Sequence, residues 1–277
     1  MNTIQRKVSF KNLIWFYIAS ISLLLSGALI SSNFSFKMLT FLIWCNVSGL
    51  FLIYRFNDCI DRKRSLKENI NYFLSFLSHK VILIQILLLI IPLSFLFLGK
   101  EVLSVLVISS AFGFLYAANF KINNITFQLK NIFLVKNLLI GLAWGSLVLI
   151  GSKEELFTDL IGLFIYCSLQ VFIGGIIRDI PDLESDKLNK INSLPVVLGI
   201  QNTLFIMHII NVLCIGFCFF ITRNYFSMTL FFIPLVWRFV NLIFVQKSSK
   251  KSSWTQWMNL FTCVIILIST LLYVILF

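Results

Sequence analysis

Residues 178–199 read RDIPDLESDKLNKINSLPVVLG, and the rest of the chain is best read outward from them. This stretch lies between two long apolar runs. Yet it holds Asp179, Asp182, Glu184 and Asp186 within eight residues, in a chain with only 11 acidic residues. Neighbouring carboxylates repel one another and are costly to desolvate, so such a concentration between apolar runs calls for a cation. A second cluster, Asn57, Asp58 and Asp61 in FNDCIDRKRS, closes another apolar run. The two clusters share a spacing: Asp58-xx-Asp61-xxx-Ser65 against Asp179-xx-Asp182-xxx-Asp186. Residues three and seven apart fall on one helical face, so each cluster is expected to aim its carboxylates at a common centre. The expectation is a membrane-embedded site for Mg²⁺ and diphosphate.

Composition makes lipid the solvent. The chain is 59% hydrophobic and 12% charged, with a mean hydropathy of +0.94, more apolar surface than a soluble domain of this length buries. The first apolar run is long enough to remain a helix, and no short apolar segment with a small-residue cleavage site precedes it. A cleaved signal peptide is therefore not expected. The 30 Phe fit lipid-facing packing. Nine runs, near 12–31, 38–57, 80–98, 102–119, 132–151, 156–177, 201–222, 225–245 and 256–276, are each expected to span a bilayer. The fold class expected is an all-α integral membrane protein, with nine transmembrane helices bundled around a central cavity and residues 1–277 forming a single domain. The clusters follow the second and sixth runs, so helices one to four and five to eight are expected to be related halves with the site between them, and the ninth an addition.

The net charge of +12 follows the positive-inside rule and does not call for nucleic acid. With the N-terminus cytoplasmic, that side takes 19 of the 23 Lys and Arg, Arg238 among them. The other side takes Lys37, Lys100, Lys153 and Arg223. Both acidic clusters then face the cytoplasm, and the cell membrane is the expected location. The six Cys show no CxxC pair and are expected to be small buried side chains, not a disulfide framework or zinc site.

Asp58, Asp61, Asp182 and Asp186 offer the hard oxygen ligands that Mg²⁺ accepts beside water and phosphate oxygens. The alternative is a solvated loop, with salt bridges to Arg62, Arg64, Lys187 and Lys190; the matched spacing on one membrane side favours the site. A third element, LYAANFK with Tyr116 and Lys121, leads into LKNIFLVKN with Lys130, Lys136 and Asn137. Lysines at a cytoplasmic helix boundary are ordinarily topology anchors. A diphosphate site nevertheless needs cations besides Mg²⁺, which makes Lys121 and Arg178 the candidate contacts. His79 reads as a polar anchor and His208 as a hydrogen-bonded core histidine. Trp44, Trp144 and Trp237 read as packing or interface anchors. There is no glycine-rich phosphate loop, GxSxG elbow or HExxH.

Two aspartate motifs after the second and sixth of nine helices, with YxxxxK after the fourth, resemble the UbiA superfamily of intramembrane prenyltransferases. Asn57, Asp58 and Asp61 match that family's NDxxDxxxD, and Asp182 and Asp186 match its DxxxD. RDIPDLESDK…LPVVLG is similar to its KDIxDxEGDK…LPVxLG, and the likeness extends over essentially the whole chain. It implies a Mg²⁺-dependent enzyme that ionises an isoprenyl diphosphate to an allylic cation in a lipid-facing cavity, where a lipophilic or aromatic acceptor captures it. It also implies Asn57 among the metal and diphosphate ligands, and Tyr116 and Asp179 among the diphosphate contacts. The chain departs from the pattern at Ser65, which removes one carboxylate, and at RKRSLKENI, which replaces a run of Arg and Pro. A terpene cyclase that quenches the same cation internally is the second enzyme reading. A lipid-binding or transport protein is the reading from another class.

Overall fold

The computed structural model of the chain describes residues 10–31, parts of 40–50 and of 107–116, 119–122, 125–128, 132–151, 158–188, 191–222, 225–247 and 252–276. In chain order the elements are α1 (Phe10–Ser31), β1 (Asn119–Ile122), β2 (Ile125–Gln128), α2 (Val135–Gly151), α3 (Thr158–Asp179), α4 (Leu183–Leu188), α5 (Leu194–Thr222), α6 (Tyr225–Lys247) and α7 (Ser252–Leu276). An apolar run in lipid has no water to satisfy its backbone, so it closes its hydrogen bonds within a helix. Five helices, α1, α3, α5, α6 and α7, are long and apolar enough to cross a membrane, and α2 is a shorter apolar helix.

The expected spans 12–31, 132–151, 156–177, 225–245 and 256–276 correspond to α1, α2, α3, α6 and α7, with ends displaced by a few residues. The spans 38–57, 80–98 and 102–119, and with them the proposed repeat, lie largely outside the described residues. The connection 120–131 carries a short antiparallel hairpin, with Asn119 opposite Gln128 and Ile122 opposite Ile125. Strand pairing satisfies the backbone of this connection. The stretch 178–200, between the expected spans 156–177 and 201–222, holds α4 and the first turns of α5. Gly199, at φ +76° and ψ 163°, separates those first turns from the long helix expected at 201–222. Only glycine adopts that conformation without strain, so Gly199 ends one short helix and lets the next set off in a new direction. Thr203 Oγ1 then donates to the Gly199 carbonyl at 2.7 Å.

Among the described helices, α3 is the hub, touching α1, α2, α5, α6 and α7. Its closest approach is to α2, where Gly141 and Gly145 form a GxxxG face. A Cβ at Gly145 would lie 1.9 Å from Ser168 Oγ, and one at Gly141 would lie 2.7 Å from the Ser168 carbonyl. Small residues matter here because lipid supplies no hydrophobic drive between helices, and close backbone contact supplies the attraction instead. On its other side α2 meets α1, where a Cβ on Gly27 would lie 1.9 Å from the Val148 carbonyl oxygen. That atom is backbone and cannot swing aside. Gly27→Ala is therefore expected to destabilise the detergent-purified protein by at least about 3 kcal/mol, the upper end of ordinary overpacking. Thermal unfolding followed by size exclusion reads this out, and an unchanged midpoint would contradict the α1–α2 contact. Trp15 and Trp257 close α1 against α7 with ring centroids 4.0 Å apart.

Apolar packing forms two clusters. One spans α1, α2, α3, α5, α6 and α7 around Leu23, Val148, Tyr166 and Phe231. The other, with Ile173, Ile176, Ile177, Ile180, Leu194, Leu204 and Leu242, lies under the acidic turn and joins α3 to α5 and α6.

Arg238 corrects the charge count. The sequence reading puts it on the cytoplasmic side, but it is 1% exposed inside the bundle. It lies nine residues before the end of α6, about 13 Å from that end at 1.5 Å per residue. Its Nε donates to Gln170 Oε1 at 3.2 Å, its Nη2 to the Gln170 carbonyl at 2.9 Å, and its Nη1 to Asn259 Oδ1. Asn259 Nδ2 donates to the Gly174 carbonyl at 3.0 Å, and Gln170 Nε2 to Asn211 Oδ1 at 3.0 Å. A buried cation held by neutral oxygens thus ties α3, α5, α6 and α7 together. Cys45, Cys167, Cys214, Cys218 and Cys263 are small buried side chains, as expected. The rings of His208 and Phe239 meet edge to face, with centroids 5.0 Å apart. The buried Nδ1 of His208 has no hydrogen-bond partner, contrary to the reading of a hydrogen-bonded core histidine.

Candidate functional site

At the end of α3 the chain turns through Ile180, Pro181 and Asp182 into α4. Pro181 fixes its own φ and removes a donor, so the helix does not continue. Asp182 N–H bonds back to the Asp179 carbonyl at 3.1 Å, and the Asp182 carbonyl accepts the Asp186 N–H at 2.8 Å. That bond places Asp182 and Asp186 one turn apart, on one face of a short helix that has no room to fray apart. α4 stops where Ile191 N–H bonds the Asp186 carbonyl at 2.9 Å. The Ser193 carbonyl accepts from Val196 and Val197 at 3.0 and 3.1 Å, starting α5 with Pro195 in its first turn. Leu194, the first residue of α5, is buried in the apolar cluster that also holds Ile180 of the turn.

Asp186 is buried, and its Oδ2 has no hydrogen-bond partner. Burial pushes its carboxyl above the ordinary value. Ser193 and Lys136 pull it back, and Asp179 and Asp182 add to the rise. A buried acceptor left without a donor costs about 1–3 kcal/mol, more when charged. A hard cation meets both demands of this pair: it offsets the repulsion with Asp182 and takes up the open oxygen. The residues present therefore fit Mg²⁺. Among the described residues no three His, Cys, Asp or Glu side chains group to hold a metal. Asp182 and Asp186 are thus one part of the expected ligand set; Asn57, Asp58 and Asp61 lie outside the described residues.

Asp179 is also buried, but it faces α2. Lys136 Nζ donates to its Oδ1 at 2.6 Å, and Asn137 Nδ2 donates to its Oδ2 at 2.9 Å. Gly175, one turn earlier on α3, makes room: a Cβ there would lie 2.9 Å from Asn137 Oδ1. Lys136 also lies in electrostatic range of Tyr116 and Asp186. The sequence hides this role, because Lys136 reads there as a topology anchor. The available signal is the Lys-Asn pair directly ahead of the GxxxG face that presses α2 onto α3.

The other expected contacts are more dispersed. Tyr116 is half-buried. Lys121 lies on β1 opposite Thr126. Arg178 is exposed, with its guanidinium carbon 5.5 Å from the centroid of the Phe16 ring of α1. Glu184 and Lys187 form the solvated pair that the alternative reading predicts, 3.4 Å apart and exposed, a contact of little energetic weight.

The model of the UbiA prenyltransferase family matches residues 23–265. No curated protein matches the sequence. Among solved structures, a digeranylgeranylglyceryl phosphate synthase is similar, with a TM-score of 0.66 at 20% identity over 96% of this chain and 99% of its own. A UbiA homologue from Aeropyrum pernix K1 has a TM-score of 0.69 at 16% identity, covering 93% of this chain and 97% of its own. A UbiA homologue from Archaeoglobus fulgidus, solved with DMAPP and Mg²⁺, has a TM-score of 0.67 at 11% identity, covering 96% of this chain and 98% of its own. At these identities the likeness is one of fold.

Proposed function

This chain belongs to the UbiA prenyltransferase family, and from that premise we propose that it transfers an isoprenyl group, within the membrane, from an isoprenyl diphosphate to a lipophilic or aromatic acceptor. The observation that carries the reading is Asp186 Oδ2, buried and unpartnered one turn from Asp182 in the short helix α4. The Archaeoglobus homologue solved with DMAPP and Mg²⁺ supports the donor class and the metal. Asp182 and Asp186 would hold Mg²⁺ from one side, with Asn57, Asp58 and Asp61 supplying the rest. Bound there, Mg²⁺ offsets diphosphate charge and makes diphosphate a better leaving group. Lys121, Arg178 and Tyr116 would contact the diphosphate. In the reaction the bond from the allylic C1 to the diphosphate oxygen breaks, and its electron pair leaves with the diphosphate. The acceptor bonds to C1 and gives up a proton. The apolar helices hold the prenyl tail and keep water from the cation. The N-terminus and the acidic turn would face the cytoplasm, with residues 1–277 acting as one transmembrane unit in the cell membrane.

The test is diphosphate release by the purified protein from geranyl, farnesyl and geranylgeranyl diphosphates, with and without Mg²⁺, in the presence of lipid-soluble acceptors. The expected result is Mg²⁺-dependent release, with a product heavier than the acceptor by one prenyl group less a proton. A cyclic terpene formed without acceptor would replace transfer with cyclisation. Silence with every donor would remove the ionising reading altogether.

A further inference from the structure

α2 begins on a strained residue. Leu134 has φ +62°, a left-handed value that few non-glycine residues adopt. Val135 N–H donates to the Phe133 carbonyl at 2.8 Å, closing a three-residue turn about Leu134, and Leu138 N–H takes the Leu134 carbonyl at 3.0 Å as a first helical bond. A leucine has no polar side chain to compensate this conformation, so the surroundings must hold it there. Two residues past the strained position come Lys136 and Asn137, both bonded to Asp179 of α3. The Lys136 side chain keeps 23% of its surface accessible, while the Asp179 side chain keeps 5%. An ammonium has three donors, and the bond to Asp179 uses one. Tyr116 and Asp186 lie within electrostatic range of the same ammonium.

Resting on the prenyl-transfer reading above, we propose that Lys136 is a diphosphate-binding residue of this site, and that Asp179 and Asn137 are the clamp that positions it. Asp179 has committed both oxygens to α2, so it serves the site through Lys136 and not as a metal ligand. The turn at Leu134 sets the first residues of α2 so that both donors reach one carboxylate. The GxxxG contact between α2 and α3 then fixes the clamp against the acidic turn. The ammonium is thereby pinned on one side and left with donors for phosphate oxygens beside the Asp182–Asp186 pair. A lysine serves here as a compact point charge.

Binding of inorganic diphosphate with Mg²⁺ to the purified full-length protein tests this, by calorimetry and by ligand-induced shift of thermal unfolding, with Mg²⁺ alone as control. Lys136→Gln is expected to weaken diphosphate binding roughly 10- to 100-fold, the weight of a charge-assisted hydrogen bond. Its affinity for Mg²⁺ alone should change far less. Lys136→Arg should recover most of the loss, and Asp179→Asn should fall between. With an isoprenyl diphosphate, KM should rise in Lys136→Gln more than kcat falls. Wild-type diphosphate affinity in Lys136→Gln, or a lowered unfolding midpoint with unchanged affinity, would overturn the proposal and leave prenyl transfer standing. A wild-type protein that binds Mg²⁺ but no diphosphate would overturn both. Should Lys136→Gln fail to fold, Asp179→Asn decides: a loss of diphosphate affinity well beyond any change in Mg²⁺ affinity supports the clamp, and unchanged diphosphate affinity removes it.

Discussion

Asp186→Ala is expected to lower Mg²⁺-dependent diphosphate release about a thousandfold, a loss near 4 kcal/mol of transition-state stabilisation. The variant should insert and purify normally. The side chain makes no hydrogen bond through Oδ2, so removing it strands no partner there. Asp182→Ala should behave alike, because the two carboxylates sit one helical turn apart and would act on one cation. Asp58→Ala tests the opposite motif in the same assay. Glu184→Ala supplies the contrast within the same short helix. Glu184 is exposed and pairs with the exposed Lys187, so its loss should leave release within about twofold of wild type. Release measured as free diphosphate across these variants separates the metal-site reading from a solvated acidic loop. Equal effects at 184 and 186 would show that the turn merely carries charge.

The second large effect is one of stability, and it centres on Arg238. Replacing both Gln170 and Asn259 with leucine removes two of its neutral acceptors and leaves a guanidinium buried in the bundle with the Gln170 carbonyl as its main partner. Stranding a buried charge costs about 3–5 kcal/mol. The double variant should lose that much in thermal or denaturant unfolding in detergent. Adding Arg238→Met to it should restore a good part of the loss, because the charge is then gone and an apolar side chain of similar length fills the space. The sign of that third step is the informative quantity. If Arg238→Met made the double variant worse, Arg238 would be contributing packing volume and not an ion in need of partners.

Much of the site is legible in the sequence, and the reason is local. Asp182 and Asp186 are four residues apart, and any helical turn starting after Pro181 puts them on one face. Their spacing alone therefore fixes their relation, and the match to Asn57, Asp58 and Asp61 points to a counterpart for that face. Asp179 is different. Its spacing places it in the cluster, but its orientation depends on which helix packs against the end of α3. That is settled by Gly141, Gly145 and Gly175, which let α2 come close enough for Lys136 and Asn137 to reach it. Arg238 is misplaced by the sequence for a similar reason. A lone arginine in an apolar run reads as a boundary residue until its acceptors are seen, and they come from positions 170 and 259, far away in the chain.

The sequence by itself determined that the chain lives in lipid, where its described spans lie, and which two carboxylates of the acidic turn share a face. Hydropathy and helical periodicity act over a few turns, and lipid forces each apolar run to satisfy its own backbone. Only the tertiary structure decided which polar side chains meet across helices: the Lys136–Asn137–Asp179 clamp and the Arg238 network. Those contacts depend on how closely helix backbones approach. That distance is set by small residues on facing helices, a property of the packed pair and of neither run alone.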